Sequence, residues 1–171
     1  MTGPDDALAP PPGSDDDDAA RLAGYARALA DGVEAALPRW VEDCVTQVLQ
    51  AQGRPVDDAT RDAARRAAEA ARAEIGPRVR RLLEADIDEQ RTNPLAVVRG
   101  ATRYPTEVLR AAGARPVPRD AQAREHFPDD VYDLAPARFA DLDPALYEPG
   151  LVWGAAKAHV HLRRRRAEGR R

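Results

Sequence analysis

Apolar residues recur every three or four positions along two long stretches of the chain, which is the spacing of one helix face. The first stretch covers residues 19–52 and the second covers about residues 57–90. Gly53 and Pro55 lie between them and predict a break, because glycine often ends a helix and proline cannot continue one. Such a short connection predicts two antiparallel helices that pack as a hairpin.

Each stretch contains a proline, and the two prolines are expected at nearly the same level along the hairpin. Pro38 lies in the first helix and Pro77 follows Gly76 in the second, so we expect each helix to bend or divide there. In the predicted register, the positions of facing residues add up to about 109. That register opposes the large side chains Trp40, Val41 and Val45 to the small side chains Ala64 and Ala68.

The following stretch predicts a third helix. Asn93 and Pro94 form a strong start signal, with a capping residue ahead of proline at the first helical position. The helix is expected to run to Gly113, with a kink where Pro105 follows Tyr104.

Residues 114–149, here called the strap, contain six prolines but are too apolar for a plain linker. Their Asp-Pro and Ala-Pro pairs predict single helical turns that lie across the bundle. A last helix is expected from Leu151 to about Arg166. Its packed side is predicted to carry Leu151 or Val152, Ala155 or Ala156, His159 and Leu162. The expected aromatic anchors of the strap and the last helix are Phe127, Tyr132, Phe139, Tyr147 and Trp153.

These elements predict an all-α protein. The expected fold is an irregular bundle built on a long bent antiparallel helical hairpin, with an ordered aromatic strap and a C-terminal helix. Alanine and arginine, which are strong helix formers, are abundant and support this fold class. Residues 19–166 are predicted to form a single helical domain, between a disordered acidic tail (1–18) and a disordered basic tail (167–171).

Charge is distributed unevenly, although the formal net charge is only −3. Residues 1–18 carry six aspartates and no base, whereas residues 157–171 carry one lysine and six arginines against one glutamate. The two ends could therefore pair with each other, or the basic end could bind nucleic acid. The candidate interaction residues at the basic end are Arg163, Arg164, Arg165 and Arg166.

Candidate chemistry is concentrated in residues 126–161, which hold all three histidines and the only lysine. His159 and His161 point about 200° apart on a helix, so they cannot share one metal ion there. His126 could still bind a metal together with nearby carboxylates and a second histidine, which makes a metal-dependent enzyme one alternative. The carboxylates concerned are Asp129, Asp130 and Asp133.

No catalytic, cofactor-binding or metal-ligating residue is assigned from the sequence, and no cofactor is expected. Cys44 lies on the apolar stripe of the first helix, where we expect a core residue. Ser14 falls in the acidic tail, and Lys157 is expected to be exposed. Because no nucleophile is found next to a base, we predict that the chain is not an enzyme.

The leading functional hypothesis is a non-catalytic cytoplasmic protein that acts in protein–protein interaction or as a scaffold. The N-terminus lacks the pattern of a secretory signal, and no apolar run reaches the length of about 18 residues that spans a membrane. An unknown protein partner is expected, and self-association is left open. Nucleic-acid binding through the arginine-rich tail and metal-dependent chemistry at the strap are the alternatives.

Four segments of the second half carry a resemblance: TNPLAVVRGATRYPTEVL, GARPVPRD, FPDDVYDLAPARFADLDPAL and GLVWGAAKAHV. Together they resemble an uncharacterised actinobacterial family of helical proteins, over about residues 90–162. The resemblance implies that the strap and the last helix form one unit. It implies no activity and no cofactor.

Overall fold

The computed structural model describes residues 15–86, 92–117, 120, 122, 125 and 127–169. Its helices are α1 (Asp15–Ala51), α2 (Asp58–Glu84), α3 (Pro94–Arg99), α4 (Arg103–Ala111) and α5 (Tyr147–Glu168). Single 3-10 turns lie at Gly100–Thr102, Phe139–Asp141 and Pro144–Leu146. None of the described residues belongs to a strand, which confirms the all-α fold class.

The α1–α2 hairpin contains most of the fully buried apolar side chains. Leu29 and Val33 of α1 and Ile75 and Val79 of α2 are at most 1% exposed. Gly53 ends the turn after α1 with a φ of +65°, in the left-handed region that glycine adopts without a steric penalty. These contacts make the hairpin the scaffold on which the remaining elements pack.

The predicted register of the hairpin is confirmed to within one or two positions. Asp31 pairs with Arg80, and a Cβ at Gly76 would lie 2.7 Å from the Cγ of Glu34. The long Arg80 side chain also reaches Glu34, about one turn of α1 further along, whose carboxylate accepts a hydrogen bond of 3.0 Å from Nε of Arg80. Trp40, Val41 and Ala68 belong to one buried cluster, and Val45 and Ala64 belong to another, which agrees with the predicted pairing of large with small residues.

Proline does not divide either long helix. α1 is continuous through Pro38 and α2 is continuous through Pro77, so of the two expected outcomes, a bend or a division, the division does not occur. A proline removes one backbone hydrogen bond, and burial of apolar side chains on both sides of it offsets that loss. In the third predicted helix, the chain does change geometry, since a 3-10 turn at Gly100–Thr102 precedes Pro105 and separates α3 from α4.

The boundaries of the acidic and basic tails differ from the prediction. The acidic tail was expected to include residues 15–18, but α1 begins at Asp15. Four aspartates in a first helical turn are favourable, because the backbone N–H groups there carry partial positive charge. At the other end, α5 continues to Glu168 with Gly169 as its C-terminal cap. Residues 1–14, 170 and 171 lie outside the described residues, as does the predicted end of the second helix at residues 87–90.

Aspartates and Asn93 cap helical turns, as their positions before proline predict. Asn93 accepts a hydrogen bond from the backbone N–H of Leu95 at 2.9 Å. Asp143 accepts one from the backbone N–H of Ala145, also at 2.9 Å. The last helix begins at Tyr147, four residues earlier than predicted, because the Pro144–Leu146 turn runs directly into it.

The aromatic residues of the strap do not form a common cluster, so the predicted aromatic strap is wrong in this respect. Tyr132 is buried and donates to the carbonyl oxygen of Ala114, whereas Phe127 lies beside the Arg99 guanidinium. Phe139 and Trp153 pack at the main core, and Tyr147 is 57% exposed.

Candidate functional site

Helix α5 packs on the hairpin through a narrow inner face, defined by Trp153, Lys157 and Val160. Trp153 and Lys157 are the two buried side chains of this 22-residue helix. The Lys157 ammonium lies 4.9 Å from the centroid of the Trp153 ring and 3.4 Å from the carbonyl oxygen of Ala85. Ala85 caps the C-terminus of α2, where partial negative charge favours a cation.

The burial of Lys157 contradicts the expectation of an exposed lysine, since only 7% of its surface is exposed. Burial lowers the pKa of Lys157, and the nearby Asp86 carboxylate opposes that shift. The aliphatic part of a lysine can cover an aromatic ring while its ammonium meets a helix end. Lys157 therefore fastens α5 to the end of α2.

A charged cluster joins the start of α1 and the end of α2 to the last turns of α5. Arg163 bonds to Asp18 and, at 2.7 Å, to Asp15. Arg164 forms a bidentate ion pair with Asp86, with hydrogen bonds of 2.7 and 3.2 Å. We call these five residues the charged cluster. It shows that the acidic N-terminal residues pair with the basic C-terminal helix, as the uneven charge distribution suggests.

His159 lies beside the charged cluster without a hydrogen bond. Its Nε2 atom is buried, lacks a hydrogen-bond partner and is 3.8 Å from a carboxylate oxygen of Asp18. A cleft of about 560 Å³ opens next to this cluster, between α1, the end of α2 and α5. Its apolar lining includes Leu22, Ala26, Leu83 and Val160.

The outer face of α5, opposite its inner face, is apolar and exposed. The large hydrophobic side chains that are exposed in the described part of the chain are Tyr147 (57%), Leu151 (46%) and Leu162 (53%), and all three belong to α5. Exposed Gly154 and Ala158 lie between them at helical spacing. We define the outer face by these residues: Tyr147, Leu151, Gly154, Ala158 and Leu162.

Charged residues border the outer face at both ends. Glu148 lies in the first turn of α5, and Arg165 and Arg166 lie in its last turns. All three are exposed, and no ion pair is found for them among the described residues. The outer face therefore has an acidic N-terminal end and a basic C-terminal end.

The strap aspartates that a metal site would use are separated from His159. Asp130 is buried and accepts hydrogen bonds from the backbone N–H groups of Tyr132 and Ala135. Within the described residues, no group of three or more histidine, cysteine or carboxylate side chains is placed to hold a metal ion. His126 lies outside the described residues. The structure thus brings His159 to Asp18 of α1 and gives Asp130 a capping role.

The other candidate residues are Cys44 and the four arginines of the basic end. Cys44 is buried, and burial raises the pKa of its thiol to about 12, so the thiol is neutral at physiological pH. Of the four candidate arginines, Arg163 and Arg164 bond within the chain, whereas Arg165 and Arg166 are exposed. An arginine in a bidentate pair with carboxylate is less available to a phosphate than an exposed one.

The outer face was missed from the sequence because its leucines were assigned to the packed side of the helix. Leu151 and Leu162 were expected to face the hairpin, but the structure buries Trp153 and Lys157 instead. Tyr147, Leu151, Ala158 and Leu162 follow a spacing of four, seven and four residues, which is a helical stripe. This stripe can be recognised in the sequence if the helix is taken to begin at Tyr147.

None of the described helices has both the length and the apolar character needed to cross a membrane. No protein-family model matches this chain, and neither does any curated protein or solved structure.

Proposed function

We propose that the chain is a non-catalytic protein of the cytoplasm that works in protein–protein interaction or as a scaffold, and that the outer face of α5 binds its partner. The observation that carries this proposal is the concentration of exposed large hydrophobic side chains on one side of one helix. Single exposed leucines are ordinary on soluble proteins, but an aligned set bordered by charges is typical of an interaction site.

The composition of the outer face suits a partner that binds alongside a helix. Tyr147 and Leu162 lie about 22 Å apart along the helix axis, so the stripe is long enough for four turns of a partner helix. Burying one exposed leucine completely contributes about 1.5–3 kcal/mol, so a few such residues supply most of a modest affinity. The charged ends would then fix the orientation of the partner.

Crosslinking in cells tests this proposal. A photoreactive amino acid replaces Ala158 on the outer face, and the same amino acid at Ala59, which is exposed on α2, serves as the matched control. We expect reproducible adducts from position 158 only, and at least a tenfold loss of them with L151E and L162E. Equal adduct patterns from both positions, or adducts that survive both substitutions, would contradict the proposal.

Nucleic-acid binding through the arginines at the C-terminal end of α5 is the alternative function. Arg165 and Arg166 are its exposed candidates, and each phosphate contact weakens binding by about 0.9 log units per tenfold rise in salt. Filter binding with R165A and R166A at low and moderate salt separates the two functions. Salt-dependent binding that these substitutions remove, together with no adduct from position 158, would favour nucleic-acid binding.

A further inference from the structure

We propose that the outer face of α5 binds a second copy of this chain, with the two α5 helices antiparallel about a twofold axis. The proposal rests on the proposed function, because it names the partner of the same surface. It commits to a homodimer, in which each residue of the face meets a residue at a fixed position on the other copy.

The order of large and small residues makes the outer face complementary to itself. Tyr147 and Leu162 are equally far from the midpoint of the stripe, between positions 154 and 155, and so are Leu151 and Ala158. An antiparallel pair centred there places Leu151 of each chain opposite Ala158 of the other. Tyr147 of each chain then meets Leu162 of the other, so no two leucines at the same height compete for space.

The middle of the stripe permits a close approach of two helices. A Cβ at Gly154 would meet no atom within 4 Å, so the space above this glycine is open. Gly154 and Ala158 are small and exposed, and small residues let two helix axes come close at their crossing point. The large side chains at both ends of the stripe can then interdigitate.

Charge complementarity selects the antiparallel arrangement. Glu148 and Arg166 are 18 residues apart, which is about five helical turns, so they lie on the same flank of α5. In an antiparallel pair, Glu148 of one chain approaches Arg166 of the other. A parallel pair would instead bring Arg165 and Arg166 of both chains together, and the repulsion between their like charges is unfavourable.

The contact area implies a reversible dimer. One pair of helices that meets along about 22 Å buries less than the roughly 1,200 Å² of stable complexes, which is typical of weak or transient association. Sedimentation equilibrium over a range of protein concentrations is therefore the first measurement. We expect a dimer that dissociates on dilution, a monomer for L162E, and unchanged association for the control A59E. Circular dichroism checks that each variant keeps its helical content.

Disulfide crosslinking then tests the orientation. In the antiparallel arrangement, Leu151 of one chain and Ala158 of the other are at the same height, whereas the two Leu151 residues are about 10 Å apart along the axis. That separation exceeds the Cα distance of a disulfide, which is about 4.4–6.8 Å. Mixing L151C with A158C should therefore give the mixed disulfide in at least tenfold excess over L151C alone. Wild type, whose Cys44 is buried, should give none.

Each outcome decides the proposal. A dimer that dissociates on dilution, with the mixed disulfide in excess, supports it. Rapid disulfide formation by L151C alone means a parallel pair and overturns it. A monomer at every concentration also overturns it. In that case the proposed function stands if position 158 still crosslinks to a different protein in cells, and fails if it crosslinks to nothing.

Discussion

The hairpin and helix α5 are held in place by different forces. Helix α1 buries 12 of its 37 residues, and nearly all of these are apolar. Helix α5 buries two of its 22 residues, and one of them is the lysine that reaches the end of α2. The strap adds one buried carboxylate, Asp130, whose oxygens bind backbone N–H groups.

This difference indicates a division of roles. A core of interlocking apolar side chains tolerates little movement, whereas charged contacts near the surface contribute less and weaken with salt. Because α5 needs only a narrow inner face to stay attached, its opposite side is free to carry leucines for a partner. The hairpin is thus the scaffold, and α5 is the element that presents a surface.

The largest expected difference is between a leucine-to-alanine substitution in the hairpin and one on the outer face. L29A in the hairpin removes a fully buried side chain and should lower the free energy of unfolding by about 2–5 kcal/mol. L162A on the outer face should change it by less than about 0.5 kcal/mol. Urea unfolding of both variants measures the two values. Similar losses would mean that α5 is packed as tightly as the hairpin.

The stability of the strap should depend on a single carboxylate, that of Asp130. D130A leaves the backbone N–H groups of Tyr132 and Ala135 without an acceptor, at a cost of about 1–3 kcal/mol of unfolding free energy. The matched control is D129A, because Asp129 is exposed. Thermal unfolding compares the two. A strap that relied on its aromatic side chains instead would tolerate D130A as well as D129A.

The attachment of α5 should depend on the charged cluster. D18N replaces a charged acceptor of Arg163 with a neutral amide, and we expect a loss of about 1 kcal/mol that shrinks in 1 M NaCl, where the screening length is about 3 Å. D16N removes a carboxylate from the same helical turn without breaking a pair with Arg163, so it controls for the helix dipole. Equal effects of both substitutions would show that only the dipole matters.

The smallest effects come from two glycines of α1 that differ only in their surroundings. A Cβ at Gly24 meets nothing within 4 Å, so G24A should raise the free energy of unfolding by about 0.5–1 kcal/mol through helix propensity. A Cβ at Gly32 would overlap a methyl carbon of Leu146, so G32A should lower the free energy of unfolding. A stabilising G32A would mean that the strap does not pack firmly on the hairpin.

The hairpin could be predicted from the sequence because its signals are local and repeated. Apolar spacing gives the helix faces, and Gly53 marks the turn between them. Capping by Asn93 and Asp143 was also predictable, since these side chains bond to N–H groups two positions along.

The packed side of α5 could not be predicted, because apolar residues occur on both of its sides. Leu151 and Leu162 mark one side, whereas Trp153 and Val160 mark the other. Only the fold places the carbonyl oxygen of Ala85 within reach of Lys157, 72 positions away in the sequence. The pair of Asp18 and Arg163 spans 145 positions, so their opposite charges suggested a contact without specifying it.

Hydrogen exchange at two salt concentrations tests most directly whether charged contacts hold α5 while apolar packing holds the hairpin. The measurement follows amides of α5 and of the buried part of α1 in dilute protein, each corrected by the rate of the unfolded chain. We expect α5 to exchange faster than α1, and 1 M NaCl to accelerate exchange in α5 while leaving α1 unchanged. Equal protection of both helices, with no response of α5 to salt, would contradict this account.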